Sequence, residues 1–306
     1  MSLWLIRHGE RIDKIDKSWV NNNINECHDP FLTKKGKWQA KMSGKNIRRR
    51  EDKPIQYIYT SPFTRCVETS IEMLKEIRKK SENKNCLIRI ELGICECIGS
   101  WMHWHKILPK NINAITNKMT LEYFSKKYPN YFDINYKSYW LKLPFRESKP
   151  IDTIYRFYKT IKHLVKINNP LVLCTHSLSL GQIILLFDKT MYTNLITYKK
   201  KKKHYENLTV FSEVINKRIK DPVITEYDID YYKNTLKDSG KHYCCIVHLI
   251  KENNNWKLIS GPSTTHWTNR IKDKQTVAIK PKNNIYNISY ILFFSTVSLF
   301  SIIKKN

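Results

Sequence analysis

Leu3-Trp4-Leu5-Ile6-Arg7-His8-Gly9-Glu10-Arg11 is the stretch that decides how this 306-residue chain is read. Four consecutive apolar residues closed by a glycine turn predict a short buried strand. Such a strand ends by presenting an arginine and a histidine to the crevice at its carboxyl edge, where open α/β sheets hold their ligands. An imidazole flanked by guanidinium groups suits attack on phosphorus, because the arginines hold the oxyanion while the ring supplies the nucleophile. A basic surface turn has the same composition, so the weight falls on the rest of the chain.

Working outward, a helix is expected over 33–49, with Thr33 as N-cap and Trp38, Ala40 and Met42 turned inward. The asparagine-rich stretch before it, to about residue 30, reads as irregular. Gln56-Tyr57-Ile58-Tyr59 reads as a second strand, and Pro62 opens a helix running to about Lys80. Leu87-Ile88-Arg89-Ile90 and Pro170-Leu171-Val172-Leu173-Cys174 read as the third and fourth strands, with a helix from Ser177 to Phe187. Strands alternating with helices predict a mainly parallel sheet covered on both faces. Between the third and fourth strands, residues 97–150 are rich in Trp and Tyr and read as a lid over the cleft. Residues 199–240 read as a lysine-rich inserted loop. A hairpin is expected from Tyr243 to Ile250 and Trp256 to Ile259, turning at Asn253-Asn254-Asn255.

Arg7-His8-Gly9 resembles the signature of the histidine phosphatase superfamily, the phosphoglycerate mutase-like fold. Three further pieces match it in the expected order. Tyr59-Thr60-Ser61-Pro62-Phe63-Thr64-Arg65-Cys66 resembles its second arginine motif. Gly93-Ile94-Cys95-Glu96 resembles the loop carrying its acid, and Cys174-Thr175-His176-Ser177 its second histidine motif. The resemblance implies an α/β three-layer sandwich, its mainly parallel central sheet flanked by helices, with the lid insertion and the C-terminal hairpin. One domain is then expected over 1–270, followed by a linker at 271–284 and a hydrophobic tail at 285–303.

The resemblance also assigns roles. His8 becomes the nucleophile that forms a phosphohistidine, and an unperturbed imidazole is already largely deprotonated at neutral pH. Arg7, Arg11 and Arg65 bind the phosphoryl oxygens, and His176 donates to the same group. Glu96 protonates the leaving oxygen and then activates water. Glu91 is the alternative acid, while Glu10 reads as a structural ligand for neighbouring backbone or arginine. No metal or other cofactor is expected. Cys95, Cys97, His103 and His105 lack the Cys-x-x-Cys pattern of structural zinc, and Trp101 and Trp104 among them read as a packed lid.

Within the superfamily, Arg7-His8-Gly9-Glu10-Arg11-Ile12-Asp13 resembles the UBASH3/STS branch, protein-tyrosine-phosphatase-like, with its insect relatives that act on ecdysteroid phosphates. Asp29-Pro30-Phe31-Leu32-Thr33, Arg65-Cys66-Val67-Glu68-Thr69 and the terminal hairpin fit that branch too. The expected activity is a metal-independent phosphatase acting on phosphotyrosine or on small hydrophobic or aryl phosphates. The alternatives are a phosphoglycerate mutase or fructose-bisphosphatase, against which Arg11-Ile12-Asp13 argues, and a catalytically silent member that binds phospho-ligands. The chain is expected to be a stand-alone catalytic domain, without the ubiquitin-binding and SH3 modules of the vertebrate members.

The formal charge is +27. Lys199 to Lys203 lack interleaved aromatics or a recognisable nucleic-acid module, so a solvated loop is expected there and no nucleic-acid partner. The general positive field favours anionic phosphoesters or acidic membrane surfaces. Eight scattered cysteines and the absence of a signal peptide predict reduced thiols and a cytoplasmic location. A homodimer is compatible with the sequence. From Ile285 to Ile303 nineteen residues carry no charge, between Lys280 and Lys282 before and Lys304 and Lys305 after. That length suffices for a membrane-anchoring helix; a buried helix or an unstructured tail are the other readings of this moderately apolar segment.

Overall fold

The computed structural model describes residues 1–24, 26–98, 116–145, 147, 150–167, 170–187, 243–252 and 255–272. In chain order the main elements are β1 (Ser2–Arg7), α1 (Lys17–Asn22), α2 (Lys34–Arg50), β2 (Tyr57–Thr60), α3 (Thr64–Ile77), β3 (Leu87–Ile90), α4 (Leu121–Lys127), α5 (Pro150–Ile167), β4 (Leu171–Thr175), α6 (Ser177–Leu185), β5 (Ile246–Glu252), β6 (Asn255–Ser263) and α7 (Thr265–Lys272).

The strands form one sheet in the order β3-β2-β4-β1-β5-β6. β3, β2, β4 and β1 run parallel, and the β5–β6 hairpin adds two antiparallel strands at the β1 edge. Every residue of β1 is buried, as an apolar run covered on both faces requires. Successive side chains alternate between those faces. Leu3, Leu5, Leu171 and Leu173 pack against Phe157 and Ile161 of α5 and Leu180 and Ile183 of α6. Trp4, Ile6, Val172 and Cys174 face the other way, onto Ile47 of α2 and Val67, Ile71 and Leu74 of α3. The result is the three-layer sandwich expected.

Register positions the site. Leu5 lies opposite Leu173 and Arg7 opposite Thr175. Each strand is followed at once by a histidine, so His8 and His176 emerge side by side at the carboxyl edge.

Several expectations need correction. The stretch expected to be irregular contains α1, because Asp16 accepts hydrogen bonds from Ser18 N and Trp19 N and so caps a helical turn. α3 begins at Thr64 with Phe63 as N-cap, so Pro62 precedes the helix. Tyr243 and Cys244 lie in a turn before β5, since Cys244 takes a φ of 53° that no strand accommodates. Thr33 does cap α2, its Oγ1 accepting from Gly36 N at 2.9 Å.

In the region expected to form the lid, residues 99–115 lie outside the described residues, with Trp101, His103, Trp104 and His105. Part of the remainder follows the sheet edge, where Ile88 N donates to Tyr131 O. Met119, Leu143 and Phe145 instead pack on Phe63, Cys95 and Ile98 beside the Glu96 loop. The lysine-rich loop 199–240, the Asn253-Asn254 turn, the linker beyond Lys272 and the tail 285–303 also lie outside the described residues. Among the described residues no helix is long and apolar enough to cross a membrane.

Candidate active site

His8 is the first residue beyond β1, and its backbone is tied on both sides. Its N–H donates to Thr175 O at 3.0 Å, and its carbonyl accepts from Cys244 N at 3.2 Å. The ring Nδ1 stands 2.9 Å from Gly9 O. A carbonyl can only accept, so this contact assigns the proton to Nδ1 and leaves Nε2 as the basic nitrogen. Burial pushes the His8 pKa well down, and Arg65, Arg7, His176 and Arg11 push it further the same way. The imidazole is therefore neutral, the form that can act as a nucleophile.

Gly9 locks this geometry. Its N–H donates to Thr69 Oγ1 of α3 at 3.0 Å. A Cβ at this position would stand 2.5 Å from Gly36 O in the first turn of α2. Close approach of two backbones, not an unusual φ, makes glycine necessary here.

Three arginines surround the ring. Arg7, the last residue of β1, places its guanidinium carbon 4.5 Å from the centre of the Tyr243 ring. Arg11 is clamped by Asp13 in a two-pronged pair, Nε to Oδ1 at 2.8 Å and Nη2 to Oδ2 at 2.5 Å. Arg65, in the first turn of α3, is 1% exposed. Its Nη1 donates to His28 O at 3.3 Å and faces Asp29 Oδ1 at 3.4 Å, while its Nη2 lies 3.5 Å from Glu96 Oε2.

His176 and Glu96 form the second half of the site. His176 Nδ1 stands 3.1 Å from Glu96 Oε2, and its Nε2 stands 2.7 Å from Ser61 Oγ. The rings of His8 and His176 meet edge-on, 5.4 Å between centres. Burial drives the His176 pKa down, but Cys66 and Glu96 opposite outweigh it and the net shift is upward. For Glu96 burial acts upward, and His176 and Arg65 overcome it, bringing the carboxyl to about 2. Each partner thus favours the charged form of the other.

All six residues singled out in the sequence thus fall in one cluster. Glu91, the alternative acid, does not join it. Its carboxylate accepts from Gly93 N, Tyr136 Oη, Ser138 Oγ, Tyr139 N and Trp140 N, so it anchors the loop before Glu96. Glu10 is structural, as expected, though its partners are Thr33 Oγ1 at 3.0 Å and Lys35 Nζ at 3.1 Å, not an arginine. Cys95 and Cys97 are buried, and burial pushes both thiols up. Sequence reasoning gave no site role to Ser61, Asp29 or Tyr243. All three sat within quoted segments, but their contacts with His176, Arg65 and Arg7 arise only from the tertiary structure.

Comparison with known proteins adds the lineage. The family profile "Histidine phosphatase superfamily (branch 1)" matches residues 3–125. The chain is 29% identical over 126 residues to the Ubiquitin-associated and SH3 domain-containing protein A of Mus musculus. It is 29% identical over 138 residues to the Ecdysteroid-phosphate phosphatase of Bombyx mori. These matches cover 33% and 37% of this chain and 19% of each relative's length. The crystal structure of the Bombyx mori ecdysone phosphate phosphatase with tungstate shares the fold, with a TM-score of 0.51 at 17% identity over 95% of this chain and 99% of that one. Ordered signatures, a common fold and the profile match over residues 3–125 converge on the histidine phosphatase superfamily as the family this chain is similar to.

Proposed function

We propose that this protein is a phosphatase that hydrolyses phosphomonoesters through a phosphohistidine at His8, without a metal ion. The observation that carries the reading is a neutral His8 imidazole, its Nδ1 turned to Gly9 O, among Arg7, Arg11 and Arg65. In the first step Nε2 attacks phosphorus while the ester P–O bond breaks, and Glu96 gives its proton to the leaving oxygen. In the second step water attacks phosphorus, the N–P bond breaks, Glu96 takes the proton and inorganic phosphate departs. The arginines hold the phosphoryl oxygens throughout, where preorganised charge contributes most.

Glu96 must gain a proton before the first step, although His176 and Arg65 hold it ionised. A phosphate dianion draws on the same two cations. By competing for them it weakens their hold and raises the Glu96 pKa, so substrate binding prepares its own proton donor. His176 reaches a phosphoryl oxygen by giving up Ser61 Oγ, its present partner at 2.7 Å.

Aryl or small hydrophobic phosphates, or phosphotyrosine, are the proposed substrates. The likeness to the silkworm ecdysteroid-phosphate phosphatase supports a hydrophobic leaving group. The test is phosphate release from p-nitrophenyl phosphate in EDTA, beside His8→Ala. Turnover is expected to survive the chelator and vanish in the variant, with an acid-labile phosphoenzyme trapped in the wild type only. Activity that depends on added metal, or that persists without His8, would overturn the mechanism.

A further inference from the structure

Tyr243 comes to the site from far along the chain, and the backbone that brings it is unusually constrained. The next residue, Cys244, is a non-glycine in the left-handed region at φ 53°. Such a conformation persists only where the surroundings over-determine it. Here they do. Cys244 N donates to His8 O, and Arg7 N donates to Cys245 O, both at 3.2 Å. The Cys244 side chain is sealed among Ala40, Met42 and Trp267, and its carbonyl accepts from Ser43 Oγ at 3.4 Å. The bend so fixed puts the Tyr243 ring 4.5 Å from the Arg7 guanidinium carbon and 5.8 Å from the centre of the His8 ring.

We propose that Tyr243 is a positioning residue of the phosphoryl site, fixing the plane of the Arg7 guanidinium through its ring face; this deepens the phosphatase reading above and rests on it. Guanidinium donors all lie in one plane. A carboxylate restrains an arginine by taking some of those donors, as Asp13 does at Arg11, where Nε and Nη2 are both engaged. An aromatic face restrains the plane and takes none of them. Arg7 is thereby aimed while its contact with Tyr243 leaves the N–H edge for oxygen. The same turn ties the β5–β6 hairpin to His8 and Arg7 together, so nucleophile and oxyanion donor keep one relative geometry.

The test is a double-mutant cycle read by calorimetric titration with inorganic phosphate, which needs no turnover. Tyr243→Leu is expected to weaken phosphate about fivefold, the order of a half-buried cation–π contact, and Tyr243→Phe to stay within twofold. In an Arg7→Lys background, where no plane remains to be fixed, Tyr243→Leu is expected to add less than twofold. Thermal melts accompany each titration, and Tyr243→Met replaces Leu if that variant unfolds. An unchanged affinity in the Leu or Met variant would overturn the proposal. So would a Phe variant as weak as Leu, or an equal loss in both Arg7 backgrounds. Wild-type protein that binds phosphate yet hydrolyses no phosphomonoester would instead overturn the phosphatase reading, with the cycle still readable.

Discussion

Gly9→Ala tests whether the nucleophile is held by direct backbone contact. A Cβ at position 9 would stand 2.5 Å from Gly36 O, 3.0 Å from its carbonyl carbon and 3.1 Å from its Cα. Ordinary contact begins at 3.4 Å, so the two segments must separate by about 0.9 Å. All three obstacles are backbone atoms at the start of α2, and no side chain can swing aside. Overpacking of this kind costs about 1–3 kcal/mol, or a melting temperature lower by roughly 2–10 °C in a chain of this size. The catalytic loss is expected to be larger. Gly9 O fixes His8 Nδ1 and Gly9 N is tied to Thr69, so the displacement passes to the ring. A misplacement of about 1 Å typically costs on the order of 100-fold in rate. Gly44→Ala is the control, because its Cβ would meet the Met73 backbone just as tightly at the α2–α3 crossing, about two helical turns along α2 from Gly36. Thermal melts and kcat/KM for p-nitrophenyl phosphate are compared across the three proteins. Gly44→Ala should lower stability while its folded fraction turns over within twofold of wild type. A folded Gly9→Ala enzyme with kcat/KM within threefold of wild type would refute the reasoning.

Removing the proposed proton donor by Glu96→Gln should lower kcat by about 10²–10⁴-fold for an alkyl phosphate. It should do much less for p-nitrophenyl phosphate, whose leaving group needs little help; an equal loss on both would argue against the role. The same residue sets a stability trend with pH. Burial opposes the ionised Glu96, but His176 and Arg65 hold its carboxyl at about 2 against an ordinary 4.5, so its stabilisation is complete above about pH 4.5 and fades as pH falls towards 2. In urea melts the gap between wild type and Glu96→Gln should therefore shrink on acidification, and a widening gap would contradict the ion pairing. Arg156 is fully buried, with Nε at 2.6 Å from Glu147 Oε1 and Nη1 donating to Gly93 O and Cys95 O, the loop that carries Glu96. Arg156→Met should cost about 3–5 kcal/mol by stranding Glu147, and Arg156→Met/Glu147→Met should recover part of that; urea denaturation measures both.

Much of this site was legible because its chemistry is local. Arg7, His8 and His176 stand at the end of an apolar strand or directly after it, Arg7 and His8 following Leu3–Ile6 and His176 following Leu171–Thr175. The Thr33 cap was legible for the same reason, since a hydroxyl three residues before Gly36 N needs only local geometry. The choice between Glu91 and Glu96 was harder. Both are buried carboxylates five residues apart, and tertiary contacts separate them: donors from residues 136–140 reach Glu91, while His176 and Arg65 reach Glu96. Asp29 shows the same limit, because its bonds to Thr64 and its approach to Arg65 cross more than thirty residues.

The sequence by itself determined the alternation of strands and helices, the parallel half of the sheet and the residues able to do the chemistry. Periodicity, capping and residue type act within a few positions, and they leave their mark in the order of the letters. Tertiary structure alone decided that β1 and β4 are neighbours in the register that sets His8 beside His176. It also decided which carboxylate meets His176, and that Tyr243 stands over Arg7. Those outcomes depend on distances between segments far apart in the chain, which only the packed core fixes.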